Sequence, residues 1–402
     1  MRFLSISTFL SLVSIAATLP TSQLPLLRHA ANNRTVSAAL FSELEELARI
    51  VDISYCVGLT GIGISKPFRC LSRCSDFPDF ELVTTWNTGQ LMSDSCGYIA
   101  LAHSPTNPRI IVAFRGTYSV ANTVVDLSTV PQEYQPYPGN EEGDDKDAPR
   151  CHNCTVHTGF SSSWNITAAH ILLDIEAAIA THPDYKLTLV GHSLGGAVAA
   201  LAGLDFVARG WDPVVTTFGE PRIGNEALVK YIDARFNLES KPSETQRGVG
   251  LGDEDDYERN LRYRRVTHVD DPVPLLPLSE WGYRMHAGEI YITKPSLSPD
   301  ITDLQHCLGD ADQECIAGQD KTTSPSPSEV TLSETVKEAS LWGQDGGSWT
   351  MPARYKLWQL FFAHRDYFWR LGLCVPGGDP RDWTRQPYSP PSISEDRMLE
   401  EL

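Results

Sequence analysis

Basic residues are scarce in this chain. Its 402 residues hold 33 Lys and Arg against 51 Asp and Glu, a formal charge of -18. That deficit argues against a nucleic-acid partner and against attachment to an anionic membrane through basic patches. Long apolar runs are missing beyond the first residues, so nothing later in the chain reads as a bilayer span. No internal repeat is visible. The Cys-x-x-Cys at Cys151 and Cys154 has no second pair at zinc spacing, so a metal site there has little support.

What is present begins with an export pattern. Arg2 supplies a positive start, Phe3 to Ala17 is apolar and Ser-rich, and small residues at Ser14, Ala16 and Ala17 form a candidate cleavage site before Pro20. Residues 1–17 are therefore expected to be a signal peptide and the protein to be secreted. Nine cysteines in an exported chain suggest disulfides. Cys70/Cys74, Cys151/Cys154 and Cys307/Cys315 are three close pairs in polar sequence. Cys56 and Cys374 lie near the two ends and are candidates to staple them together, which leaves Cys96 as a buried free thiol. Asn33, Asn153 and Asn165 each begin an Asn-x-Ser/Thr sequon, as in a glycoprotein.

Val36, Leu40, Leu44, Leu47, Val51 and Tyr55 recur at helical spacing and predict a long amphipathic first helix. Leu82–Thr85, Gly97–Ala102, Arg109–Arg115, Lys186–Val190, Val214–Phe218 and Arg262–Val269 read as strands. Phe160–Thr181 and the run after Gly196 read as helices. This alternation predicts an α/β fold, one mostly parallel sheet with helices on both faces. Residues 131–150, 239–260 and 318–350 read as surface insertions in a domain spanning 18–375. Residues 376–402, Pro-rich and polar, read as a disordered tail.

The densest chemical signal is Gly191-His192-Ser193-Leu194-Gly195, with an apolar β-branched strand before it and helix formers after it. Strand, Gly-x-Ser-x-Gly, helix is the setting of a nucleophile elbow, with Ser193 as candidate nucleophile. A serine hydroxyl needs a base, and the base needs an orienting acid, so the partners are expected later in the chain, on loops after strands. Asp270 and Asp271, at the end of the Arg262–Val269 strand, compete for the acid. Pattern alone barely separates them, with Asp271, held extended by Pro272, favoured. His286, His306 and His364 compete for the base. His306 sits in a polar loop and reads as a surface residue, His286 as a structural residue before a strand, and His364 fits the chain order best. An oxyanion needs preorganised donors: the Leu194 N–H, and Thr117 in the loop after the Ile110–Phe114 strand.

Taken together, Ile111-Val112-Ala113-Phe114-Arg115-Gly116-Thr117, Val156-His157-Thr158-Gly159-Phe160, the Ser193 pentapeptide, Pro221-Arg222-Ile223-Gly224-Asn225, Thr267 to Pro274 and His364-Arg365-Asp366-Tyr367-Phe368 resemble the fungal class 3 lipases. This is the Rhizomucor/Thermomyces group, to which feruloyl esterases are related, and the match runs from about residue 35 to 375. The resemblance implies an α/β-hydrolase fold and a catalytic Ser193, Asp271 and His364, with Asp270 standing where the family has Asn. It implies Thr117 and Leu194 as oxyanion donors and Asp126 as the acid orienting the Thr117 hydroxyl. It also implies the pairings Cys56–Cys374, Cys70–Cys74, Cys151–Cys154 and Cys307–Cys315. A lid over about 119–127 is implied too. Here it lacks the tryptophan often found there and is only mildly apolar. The expected activity is secreted triacylglycerol lipase, acting as a monomer on lipid esters, with the lipid–water interface as its site and no metal or organic cofactor. A feruloyl or other soluble-ester esterase and a phospholipase are the enzymatic rivals. A catalytically inactive lipase-like binding protein is the non-enzymatic one.

Overall fold

The computed structural model describes residues 34–58, 63–89, 95–117, 131–137, 151–238, 258, 260–320 and 362–388. The signal-peptide, Asn33, Asp126 and lid assignments lie outside the described residues.

The framework is an eight-stranded sheet in the order β1-β2-β3-β6-β7-β9-β11-β12. Its strands are β1 (Phe80–Asn87), β2 (Cys96–Ala102), β3 (Arg109–Phe114), β6 (Lys186–His192), β7 (Val214–Phe218), β9 (Tyr263–His268), β11 (Glu289–Ile292) and β12 (Leu304–His306). The five strands from β3 to β11 run parallel, and β1, β2 and β12 pair antiparallel at the two sides. Parallel strands buried on both faces read as continuous apolar runs, and β3, Arg-Ile-Ile-Val-Ala-Phe, is buried throughout. Its side chains divide with period two. Ile110, Val112 and Phe114 join the core beneath helices α2 (Thr158–Thr181) and α3 (Leu194–Ala208). Ile111 and Ala113 join the core beneath helix α1 (Ala38–Ile53). A small second sheet contains β4 (Pro131–Glu133), β5 (Thr155–His157), β8 (Gly224–Asn225) and β10 (Tyr283–Arg284). Helix α4 (Glu226–Phe236) follows β8, capped by the Asn225 side chain.

The four disulfides join Cys56–Cys374, Cys70–Cys74, Cys151–Cys154 and Cys307–Cys315, and Cys96 is buried and unbridged. The Cys56–Cys374 bridge ties the end of α1 to the C-terminal segment, 318 residues away.

Five expectations need correction. His306 is not a surface residue: it ends β12, buried, with Nε2 2.7 Å from Glu258 Oε1. Glu258 also accepts the Ser37 N–H just before α1, so the far end of the supposed 239–260 insertion is structural. The tail does not begin at 376. Asp379 and Asp382 are buried, Asp382 accepts the Arg370 N–H at 2.8 Å, and Tyr388 packs edge-on against Phe41 at 4.7 Å. Polar composition misleads there because the segment docks through paired charges. Likewise residues 131–133 form β4, and Asp320, at the end of helix α5 (Ile316–Asp320), pairs with Arg222 at 2.7 Å, so both segments start inside the fold.

Candidate active site

Ser193 stands between β6 and α3. Strand and helix meet there in a sharp turn that puts the serine at φ 59°, ψ −129°, in the positive-φ region where a side chain is strained. The turn is possible because the helix start packs against β3: a Cβ on Gly195 would sit 2.4 Å from the Phe114 carbonyl oxygen. The Ser193 N–H donates to the Phe218 carbonyl at 2.9 Å, which ties the turn to the end of β7.

The residue after Phe218 brings the other partners close. Gly219 has φ +60°, and a Cβ there would lie 2.9 Å from His364 Cε1 and 3.0 Å from Asp271 Oδ2. His364 belongs to a short 3-10 turn, Ala363–Arg365, and Asp271 follows β9. His364 Nδ1 lies 3.0 Å from Asp271 Oδ2 and 3.1 Å from Oδ1. Asp271 also accepts the Val273 N–H at 2.9 Å and the Tyr367 hydroxyl. Burial alone would raise this carboxyl. The His364 ring beside it and the three donors outweigh burial and hold the pKa below its ordinary 3.8. A carboxylate only accepts, so His364 carries its proton on Nδ1 and presents a lone pair at Nε2. Asp270 is exposed at φ +67°. Pattern barely separates the two aspartates and the resemblance assigns the acid to Asp271; in space Asp271 alone reaches the histidine.

Among the described residues, three buried polar atoms here have no hydrogen-bond partner: Ser193 Oγ, His364 Nε2 and Thr117 Oγ1. Buried polar atoms are normally satisfied, so orphans gathered near one strained turn mark a site. Thr117 ends the loop after β3. At Gly116 just before it, a built Cβ would meet Ser193 Cβ at 2.9 Å. Leu194 is the first residue of α3, where N–H groups have no partner within the helix.

His192, Tyr55 and Tyr367 were not singled out as site residues from sequence. His192 Nε2 donates to the His364 carbonyl at 2.7 Å, and its Nδ1 accepts from the Tyr55 hydroxyl at 2.5 Å. Its ring stacks on His364 with centroids 4.7 Å apart. Its place inside the pentapeptide was the available signal. For Tyr367 the signal was its position three residues after His364. His286, the other candidate base, is instead locked in a buried cluster, bonded to Glu220 at 3.0 Å and to the Ala287 carbonyl at 2.7 Å.

Burial, and then the His364 ring, lower the His192 pKa from 6.5 to about 3. The unfolded chain therefore binds a proton at this residue below pH 6.5 that the folded chain refuses until about 3. Stability is fully present above 6.5 and falls as pH drops through that window, by about 1.4 kcal/mol for each unit of depression realised. Melting temperature should thus fall more steeply with acid for the wild type than for His192→Asn. Parallel curves between pH 6.5 and 4 would refute this reading.

One grouping of metal-ligand types occurs among the described residues: Glu289, Cys307 and Cys315. The two sulfurs are joined as a disulfide, so they supply no thiolate and do not suit a metal.

The fold is that of the α/β-hydrolases, and the candidate site has the parts of a serine esterase. The family model for Lipase (class 3) matches residues 111–281. A secreted mono- and diacylglycerol lipase 2 of Gibberella zeae is 47% identical over 423 aligned residues, covering 96% of this chain and 98% of that protein. Lipase A of Sodiomyces alcalophilus is 51% identical over 377 residues, covering 88% and 86%. The crystal structure of Lip2 lipase from Yarrowia lipolytica superposes with a TM-score of 0.64 at 27% identity, covering 85% of this chain and 97% of that one. The chain belongs to the class 3 lipases and is a carboxylic-ester hydrolase. No helix among the described residues is long and apolar enough to cross a membrane.

Proposed function

We propose that this chain is a secreted acylglycerol lipase that works through an acyl-enzyme on Ser193. The observation that carries this is the buried His364–Asp271 pair, joined to the strained Ser193 turn through His192, with Ser193 Oγ and His364 Nε2 both unpartnered among the described residues. Ser193 Oγ attacks the ester carbonyl as His364 Nε2 takes its proton. Asp271 holds the imidazolium that forms. The Leu194 N–H and Thr117, oriented by Asp126, stabilise the oxyanion. His364 returns the proton to the leaving alcohol, and water, activated the same way, frees the fatty acid.

Mono- and diacylglycerols are the substrates we favour, because the relative covering nearly all of this chain carries that name. Triacylglycerol is the expectation from the wider family resemblance. Export is supported by the residue 1–17 pattern, by four disulfides and by relatives named as secreted. We further infer that the protein acts as a monomer at the lipid–water interface.

The test is a substrate panel. Mono-, di- and triacylglycerols of short and long chain, a phospholipid and a feruloyl ester are each assayed below and above the solubility limit. Preference for partial glycerides, rising when droplets form, is the expected result. Faster hydrolysis of triacylglycerol would move the substrate. Activity confined to dissolved aryl or short esters would make this an esterase on a lipase scaffold. No turnover and no labelling of Ser193 by a phosphonate would leave only the inactive binding protein.

A further inference from the structure

Away from the catalytic loops, a cavity of about 510 Å³ opens between residues 132–137 and the helices α2 and α3. Its walls are built rather than incidental. Trp164 Nε1 donates to Asp205 Oδ2 at 3.1 Å, Arg209 pairs with Asp205 Oδ1 at 2.5 Å, and the Arg209 guanidinium lies 3.8 Å above the Tyr137 ring. One carboxylate–guanidinium pair therefore fixes an aromatic residue on each side of the groove. Tyr137 nonetheless stays 43% exposed. The remaining polar lining is neutral at Gln132, Gln135, Ser161 and Asn165, with one further carboxylate, Glu133. Trp164 is buried, so Tyr137 offers the exposed aromatic face, and a tyrosine held in place beside amides and hydroxyls suits a polyhydroxylated ligand.

Asn165 lines this groove and also begins the sequon Asn165-Ile166-Thr167. We propose that Asn165 carries an N-linked glycan and that the groove seats its first one or two sugars. The glycan is tethered at the rim, so its local concentration is set by the linkage and weak contacts suffice to hold it. The volume lies within the range of small-molecule sites, about 300–1,000 Å³, and suits a sugar or two but not a branched oligosaccharide. Modification must come before folding. In the folded chain Thr167 is buried, its hydroxyl bonded to the Ser163 carbonyl at 2.7 Å within α2. The donor is an oligosaccharide linked to a lipid diphosphate. The bond from the sugar C1 to the diphosphate oxygen breaks, a bond from Asn165 Nδ2 to C1 forms, and the amide proton leaves with the lipid diphosphate.

This proposal rests on the reading of the chain as secreted, and the experiment separates the two. The full chain is produced in a glycosylating fungal host and recovered from the medium, which tests export by itself. Peptide mass spectrometry then measures occupancy at Asn165. An endoglycosidase that cuts between the first two sugars is applied to folded and unfolded protein. Expected is an occupied Asn165 whose glycan is released at least tenfold more slowly from the folded protein, with the protection lost in Tyr137→Ala. Gln135→Ala serves as the second variant should Tyr137→Ala fail to fold. A secreted protein with Asn165 bare, or with its glycan released equally fast folded and unfolded, overturns the proposal.

Discussion

Ser193→Ala is expected to lower kcat about a million-fold and to leave the fold intact. The substitution removes one buried oxygen that has no partner among the described residues, so no structural hydrogen bond is lost with it. Alanine keeps the Cβ, so the strained turn at φ 59° is neither relieved nor worsened. KM should change little, because the hydroxyl is used in the transition state. The residual rate, about a thousand-fold or more above water, would come from substrate binding and the oxyanion donors. Residues acting as one unit lose function together, so adding His364→Ala to Ser193→Ala should cost almost nothing more. Steady-state rates on a diacylglycerol emulsion, with circular dichroism to check folding, decide the matter. A folded variant within a hundredfold of wild type would mean that another residue is the nucleophile.

The parts of this site that were legible in sequence are those encoded locally. A β-branched strand, a glycine-flanked serine and a helix-forming run are contiguous, so the elbow at Ser193 could be read directly. Local pattern barely separated Asp270 from Asp271, since both follow β9; Pro272 and the family resemblance favoured Asp271, and which carboxylate the turn buries shows only in three dimensions. The loop order pointed to His364, and the structure supplies what distinguishes it from His286: the latter's nitrogens are already bound by Glu220 and a carbonyl. The misread segments share one cause. His306 is structural because of Glu258, 48 residues earlier, and residues 376–388 dock because Asp382 meets Arg73, 309 residues away. Pairings across such separations leave no periodicity and no composition signal. β12, only three residues long, is too short for alternation to register. The orienting contacts of His192, with Tyr55 on one nitrogen and the His364 carbonyl on the other, are invisible for the same reason.

Asp271→Asn should cut kcat about 10,000-fold with little effect on folding, since the amide is nearly the same size. The reason lies in which atoms surround the carboxylate. Oδ1 accepts the Val273 N–H at 2.9 Å, so an amide nitrogen placed there would face another donor. Oδ2 accepts the Tyr367 hydroxyl, but a hydroxyl can turn to accept whereas the Val273 N–H cannot, so the NH2 group is driven to the Oδ2 position, 3.0 Å from His364 Nδ1. From there it donates toward Nδ1, favouring the tautomer with its proton on Nε2, and that tautomer cannot take the Ser193 proton. The imidazolium of the transition state also loses its negative neighbour. Tyr367→Phe removes one donor but keeps the charge, and should cost far less. The native carboxylate, with its lowered pKa, is already ionised throughout the working pH range, and its contribution to stability fades only as pH falls below about 3.8. The loss in Asp271→Asn should accordingly be as large at pH 8 as at pH 6. Asp270→Asn is the control. Its side chain is exposed, and activity should stay within a few-fold of wild type. If Asp270→Asn were the crippled variant and Asp271→Asn were active, the orienting acid would have to be reassigned.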